Sequence, residues 1–366
     1  MSAWQVTFWG VRGSIPVPGP STVKYGGNTS CLEIRSDEGD WIIFDAGTGL
    51  RALGDSLDLS KKHEINIMIS HPHWDHINGF PFFTPIYIPG NRVNVYGPST
   101  FELTMEDVIA GQMKYSYFPV RTAELSADIR FRELKEEEFR VGNFTVRTQL
   151  LNHPVTCLGY RVTYGEKVFI YLGDNEPYYN VFNDGDPDTE AVAHQMNQRL
   201  VEFVRGADTL VADSQYVPAE YGSHKGWGHS HTHHVVNLAL KAGVKHLFFF
   251  HHEPLRTDAE MDRLVEHYRG KMAEKGFTME STPPASARAS ISRQRRIFPR
   301  RFLPAVPQGF SPDPGGSTRL RVCRRSFHPP SRARRRRRCV RSYGNLRWKG
   351  SLPSRVRTGR SRRKCR

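Results

Sequence analysis

The chain has 366 residues, 38% hydrophobic and 24% charged, with a formal net charge of +15. That suffices for one large domain or two ordinary ones, but no run approaches the roughly 18–20 apolar residues of a membrane span. The five cysteines, Cys31, Cys157, Cys323, Cys339 and Cys365, lack the paired spacing of a disulfide framework or a cysteine zinc site.

In chain order, the opening "MSAWQVTFWGVRG" reads as a strand and lacks the basic start, apolar middle and small-residue cleavage site of a signal peptide, so a cytoplasmic address is expected. Short β-branched and aromatic runs predict strands at 5–11, 30–35, 41–47, 65–70 and 92–97. The stretch 101–140 is mixed and charged, with "FELTMEDVIAG" (101–111) expected to be helical. Further strands are predicted at 144–151, 157–164, 167–174, 209–214 and 245–252, and helices at 189–205, 232–242 and 258–275. Roughly ten strands with interspersed helices predict a layered α/β sandwich with polar residues at its strand ends.

Beyond the last helix the composition changes. Residues 286–366 hold 26 of the 52 lysines and arginines and one of the 37 acids, Asp313, so the first 285 residues are net acidic. Clusters such as "RARRRRRCVR" and scattered prolines, without a period of 2 or 3.6, cannot bury enough surface to offset ordering entropy. A globular domain over 1–280 and a disordered tail over 281–366 are therefore expected. The tail is read as a solvated or artefactual extension, of the kind out-of-frame translation of GC-rich DNA would produce; a basic arm for nucleic acid is the alternative use.

The chemistry concentrates in "SHPHWDHING" (70–79), which sets His71, His73, Asp75 and His76 just past an apolar run. In an extended loop, alternation would put His71 and His73 on one side and Asp75 opposite, with His76 turning back to the same cavity. One zinc takes about four ligands, some from elsewhere, so four such groups suit two ions better than one. Candidates for the remainder end other predicted strands: His153 after "TVRTQLLN", Asp174 after "VFIYLG" and His251 after "HLFFF".

These motifs, with "FDAGTG" upstream, resemble the metallo-β-lactamase-fold hydrolases, in order from about residue 4 to 278. The resemblance implies a four-layer αββα sandwich and a dinuclear site. His71, His73 and His153 would hold one ion, Asp75, His76 and His251 the other, and Asp174 would bridge them. Two zinc ions are expected, with manganese or iron admitted by the carboxylates. His252 competes with His251 for the ligand position. Asp45 would cap the helix starting near Gly49, or orient the histidine loop, or both.

The stretch "YGSHKGWGHSHTHHVV" (221–236) is similar to the histidine motif of the phosphodiesterase branch of that superfamily. By this resemblance His229 is the candidate general acid and Asp213 its orienting carboxylate, so Asp75, His229 and Asp213 are the catalytic candidates. His231, His233 and His234 are expected to be solvent-facing imidazoles at a helix start. Arg12 would meet a phosphate or be structural. The N-terminal stretch resembles the cyclic-nucleotide phosphodiesterases. The implied reaction is attack of a hydroxide held between the ions on a small cyclic phosphodiester, with His229 protonating the leaving oxygen.

Two alternatives stand beside it: a ribonuclease Z-like tRNA-processing endoribonuclease, and a non-catalytic nucleic-acid-binding protein. Ribonuclease Z carries a tRNA-gripping arm between the counterparts of His153 and Asp174, whereas here two predicted strands fill that gap. Aromatics at 114–118 or 178–182 could stack on bases or make core or dimer contacts. The resemblance also implies a homodimer with the partner closing the pocket, and no membrane contact.

Overall fold

The structure is a computed structural model that describes residues 4–182, 185–274 and 288–290. The chain divides into Met1–Ile297 and Phe298–Arg366, and all described residues fall in the first unit. The expectation of a disordered tail or basic arm lies outside the described residues, save for the strand Arg288–Ser290. Among the described residues no helix is long and apolar enough to cross a membrane.

Hydrophobic alternation decides the architecture. In β1 (Trp4–Gly10), β2 (Cys31–Ser36), β3 (Trp41–Phe44), β4 (Glu64–Met68), β5 (Arg92–Pro98) and β6 (Asp128–Leu134), successive side chains serve two different cores. Ile42 and Phe44 of β3 enter the cluster shared with a second sheet, whereas Trp41 and Ile43 enter one on the opposite face. A strand buried on both faces needs this unbroken apolar run.

The second sheet comprises β7 (Glu138–Val141), β8 (Phe144–Leu150), β9 (Leu158–Tyr164), β10 (Lys167–Tyr171), β11 (Thr209–Asp213) and β12 (His246–Phe250), in that spatial order, while β13 (Arg288–Ser290) pairs antiparallel with β1. Rings of the two sheets interlock: Phe44 lies 5.4 Å from Phe169 and 5.3 Å from Tyr171, and Phe8 lies 5.4 Å from Phe248. Both sheets are mixed, with β3 to β6 parallel in the first and β10 to β12 parallel in the second.

Helices cover the outer faces. α1 (Gly49–Asp55), the short turn α2 (Trp74–Ile77) and α3 (Met105–Gln112) bury Leu50, Leu53, Ile77, Met105 and Ile109 against the first sheet. The second sheet is covered by α4 (Pro187–Val204), α6 (Thr232–Ala242) and α7 (Asp258–Ala273), with α5 (Pro218–Tyr221) a short turn between β11 and α6. The result is the four-layer αββα sandwich expected from the motifs.

All ten predicted strands and the three later helices are present. Three strands are additional: β6 and β7, in the stretch read as mixed and charged, and β13, in the stretch read as tail. Each lies at the edge of its sheet. Edge strands keep polar residues on the open side, so "DIRFREL" and "EFRV" carry charge between Ile129, Phe131, Phe139 and Val141. The helix expected over 101–111 begins later, at Met105, because Thr104 and Asp107 form a reciprocal capping box.

Candidate metal centre

The site lies where strand pairing stops. β3 ends at Phe44 before Asp45, β4 at Met68 before Ser70 and His71, β8 at Leu150 before His153, β10 at Tyr171 before Asp174, and β12 at Phe250 before His251. Freed from the ladder, these backbones turn and their polar side chains converge.

The opening motif is not an extended loop. Trp74–Ile77 forms a helical turn, with His73 preceding it in an extended conformation. The turn swings Asp75 onto the same cavity as His76 instead of the opposite side, so Asp75 Oδ2 lies 3.3 Å from His76 Nε2 and 3.0 Å from His251 Nε2. On the other side, His73 Nδ1 lies 3.1 Å from His153 Nε2 and the His71 ring centroid 4.5 Å from that of His153. Asp174 stands between the sets: Oδ1 is 3.4 Å from His76 Nε2 and 3.3 Å from His251 Nε2, and Oδ2 is 3.5 Å from His71 Nε2. The structure thus brings together all seven residues expected to hold metal.

The donor set fits divalent cations. His76 Nδ1 donates to Asp45 Oδ2 at 2.8 Å and His251 Nδ1 to Gln215 Oε1 at 2.9 Å, so in their neutral forms both rings aim lone pairs from Nε2 at one another, 3.3 Å apart, and at carboxylates. His153 is fixed likewise, its Nδ1 donating to the Gly228 carbonyl at 3.0 Å. His71 Nε2 and Asp174 Oδ1 are buried without hydrogen-bond partners, which is costly unless a cation satisfies them. Candidate ligand atoms of His71, His73, His153 and Asp174, and of Asp75, His76 and His251, lie within 4.8 Å of one another in each group. Such nitrogen- and carboxylate-rich sets bind divalent metal.

Charge follows the geometry. Burial holds His71 well below the ordinary imidazole range and His153 down at about 4, so both are neutral as ligands must be. Burial would raise Asp75 and Asp174, but neighbouring imidazoles outweigh it and hold both carboxyls well below their usual range. His76 moves well above its ordinary value despite burial, because Asp174, Asp75 and Asp45 surround it.

His229 sits beside this cluster without joining either set. Its Nδ1 donates to Asp213 Oδ2 at 3.0 Å and lies 3.7 Å from Asp174 Oδ2. Burial opposes its charged form, yet Asp213 and Asp174 prevail and push it up to about 9. Asp213 also accepts from the backbone N–H groups of Ser230 and Gln215, so it is fixed before His229 reaches it.

Other expectations resolve by contact. His251 faces the cavity at φ 55°, whereas the His252 ring turns away, its Nε2 donating to the Phe249 carbonyl at 3.1 Å and its ring 5.8 Å from Tyr25. Asp45 makes no cap for α1, whose N-cap residue is Thr48; it accepts from the Ser70 backbone N–H, Ser70 Oγ and the Tyr171 hydroxyl as well as His76.

Arg12 is fully buried, donating to the carbonyls of Gly26 and Arg256 and to Asp258, so it is a staple to α7 and meets no phosphate. Of the three histidines expected in solvent, only His233 is exposed; His231 and His234 are half-buried, His231 capping α6 and His234 holding its Nε2 in the interior without a partner. α6 needs a cap, and its apolar face draws His234 inward.

Several supporting groups escaped the sequence reading: Ser70, Tyr171, Gln215, Glu176 and the Ser14 backbone N–H, which donates to Asp75 Oδ2 at 2.7 Å. Gln215 and Glu176 each lie two residues beyond a motif aspartate, a spacing that could have flagged them. Nothing local marks Ser14.

Comparison with known proteins bears on the fold and the family. The β-lactamase superfamily domain matches residues 40–252. Ribonuclease Z of Thermoplasma acidophilum is 24% identical over 301 residues, spanning 74% of this chain and 92% of that protein. The metallo-β-lactamase-fold protein YhfI of Bacillus subtilis shares the fold at TM-score 0.54 and 18% identity, covering 78% of this chain and 98% of its own. Unliganded yeast PDE1 does so at TM-score 0.54 and 15% identity, covering 77% and 98%. The chain belongs to the metallo-β-lactamase superfamily and is a metal-dependent hydrolase of that fold.

Proposed function

We propose that the protein hydrolyses a small phosphodiester, with a cyclic nucleotide as first choice. The observation that carries the reading is the Asp213–His229 pair set against the ligand cluster, His229 Nδ1 donating at 3.0 Å. Phosphodiester cleavage expels an alkoxide that needs a proton, and this pair supplies one.

His71, His73 and His153 would hold one divalent ion and Asp75, His76 and His251 the other, with Asp174 shared; zinc suits so nitrogen-rich a set. Ions so held supply Lewis acidity that makes a water nucleophilic near neutral pH and neutralises phosphoryl charge. Asp45 and Gln215 keep His76 and His251 in the tautomer that frees Nε2. With Nδ1 committed to Asp213, His229 holds its transferable proton at Nε2 and delivers it to the departing oxygen.

Two observations support a small substrate. β9 and β10 take up most of the chain between His153 and Asp174, joined by the tight turn at Gly165 and Glu166, which leaves little chain for an RNA-gripping arm. The first 285 residues are net acidic, whereas a polyanion needs clustered lysine and arginine. Exposed Tyr115, Tyr117 and Phe182 are available to a base, or to a second copy in the homodimer that this reading retains.

A second reading is ribonuclease Z-like tRNA processing, favoured by the curated relatives of that name at 24% identity. Purified protein incubated with 3′,5′ and 2′,3′ cyclic nucleotides and with a tRNA precursor, with and without chelator, separates them. Chelator-sensitive turnover of a cyclic nucleotide is expected; cleavage of the precursor alone would replace the first reading with the second.

A further inference from the structure

Glu176 is a buried carboxylate, 3% exposed, that the chemistry above leaves unused. No lysine or arginine neutralises it in any ion pair of the described residues. Its oxygens go instead to one loop: Oε1 accepts from the Tyr221 hydroxyl at 2.7 Å and the Gly226 N–H at 2.8 Å, and Oε2 accepts from the Gly228 N–H at 2.9 Å. Burying an anion without a counter-ion is expensive, and three hydrogen bonds onto one charged acceptor are the compensation.

That loop serves both halves of the site. Gly226 and Gly228 have φ of 89° and 85°, conformations that admit little but glycine. The Gly228 carbonyl is the acceptor fixing His153, and a Cβ at that position would fall 2.2 Å from His153 Nδ1. The next residue is His229. At its own backbone Glu176 donates to the Asn152 carbonyl, one residue before His153. Glu176 thus meets the segment before His153 through its backbone N–H and the loop before His229 through its carboxylate.

We propose that Glu176 is a positioning residue: its carboxylate clamps the loop 221–228 so that Gly228 orients the metal-facing nitrogen of His153 while His229 is delivered to Asp213. The part concerning His229 rests on the phosphodiesterase reading; the part concerning His153 does not. A neutral glutamine would turn its amide nitrogen toward an N–H that needs an acceptor, although the side chain keeps its size.

The test compares wild type, Glu176→Gln and Tyr221→Phe, which removes one of the three donors and leaves the backbone clamp intact. Zn2+ affinity is read by competition with a chromophoric chelator, and the His153 tautomer by 15N-correlated NMR of the zinc-loaded protein. Glu176→Gln is expected to weaken the more labile zinc by about 10- to 100-fold and to blur the His153 tautomer, with a smaller change in the same direction for Tyr221→Phe.

Turnover of diesters with poor leaving groups should fall roughly 100-fold while activated aryl diesters fall less. Unchanged zinc affinity and an unchanged His153 tautomer in Glu176→Gln would overturn the proposal. Loss of thermal stability with both readouts intact would overturn it equally. If wild type cleaves no phosphodiester, the phosphodiesterase reading fails, and zinc affinity and tautomer still decide the role of Glu176.

Discussion

Among the described residues three non-glycine side chains take left-handed φ values, Ser14 at 63°, Asp45 at 58° and His251 at 55°. All three touch the candidate metal centre: Ser14 through Asp75, Asp45 through His76, and His251 as an expected ligand. Such conformations cost on the order of 1–3 kcal/mol each and persist where surrounding contacts over-determine them. Asp45 shows the return on that cost, because its two oxygens accept from four donors at once. Asp45→Asn places an amide NH2 among those donors, so metal affinity should drop about 10- to 100-fold with little change in circular dichroism.

For His229, the replacement His229→Ala should leave metal content intact yet lose about 100-fold or more in turnover of diesters with poor leaving groups, with activated aryl diesters suffering less. Equal loss on both would contradict the acid role. His234 offers a pH test away from the cluster. Burial lowers it from 6.5 to about 4, so the folded protein prefers the neutral ring. Its contribution is complete above pH 6.5 and is lost as pH falls through 4, a swing of about 3 kcal/mol. His234→Leu should flatten the decline of melting temperature over that window relative to wild type.

At the scale of elements, loops hold the site because they pack on one another without room to spare. A Cβ on Gly13, in the loop after β1, would sit 2.4 Å from the ring of His251, and one on Gly79 would sit 2.0 Å from the Gly47 carbonyl oxygen. Gly13→Ala should therefore displace His251 and spare the His71, His73 and His153 group, so elemental analysis should find metal content falling from about two ions toward one. Equal loss of both ions would show that the loop governs the whole cluster.

Legibility follows the same logic of elements. Central strands such as "WIIF" were readable because both faces are buried, and α6 because Gly243 closes it in a left-handed conformation at φ 66°. β6 and β7 were not, since an edge strand's open face carries charge that dilutes the period of two.

At the scale of the whole molecule the centre straddles both sheets. His71, His73, Asp75 and His76 follow a strand of the first; His153, Asp174 and His251 follow strands of the second. Bound cations would tie the sheets together at one edge and neutralise clustered carboxylates that otherwise repel. Metal near 100 times its dissociation constant contributes about 2.7 kcal/mol to stability, or about 5–10 °C in a domain of this size. Differential scanning calorimetry before and after chelation should show that drop; no change would mean that the ions carry no part of the fold.

The sequence by itself determined the layered fold and the kinds and order of metal-competent side chains, because strand periodicity and short motifs are local properties. Only the tertiary structure decided that His251 and not His252 faces the cavity, that Arg12 is spent on Asp258, and that Glu176 organises a loop some 50 residues away. Those facts depend on which distant backbones meet at the sheet edge, where a side chain's role is set by angstrom-scale contacts with residues its own stretch of chain never specifies.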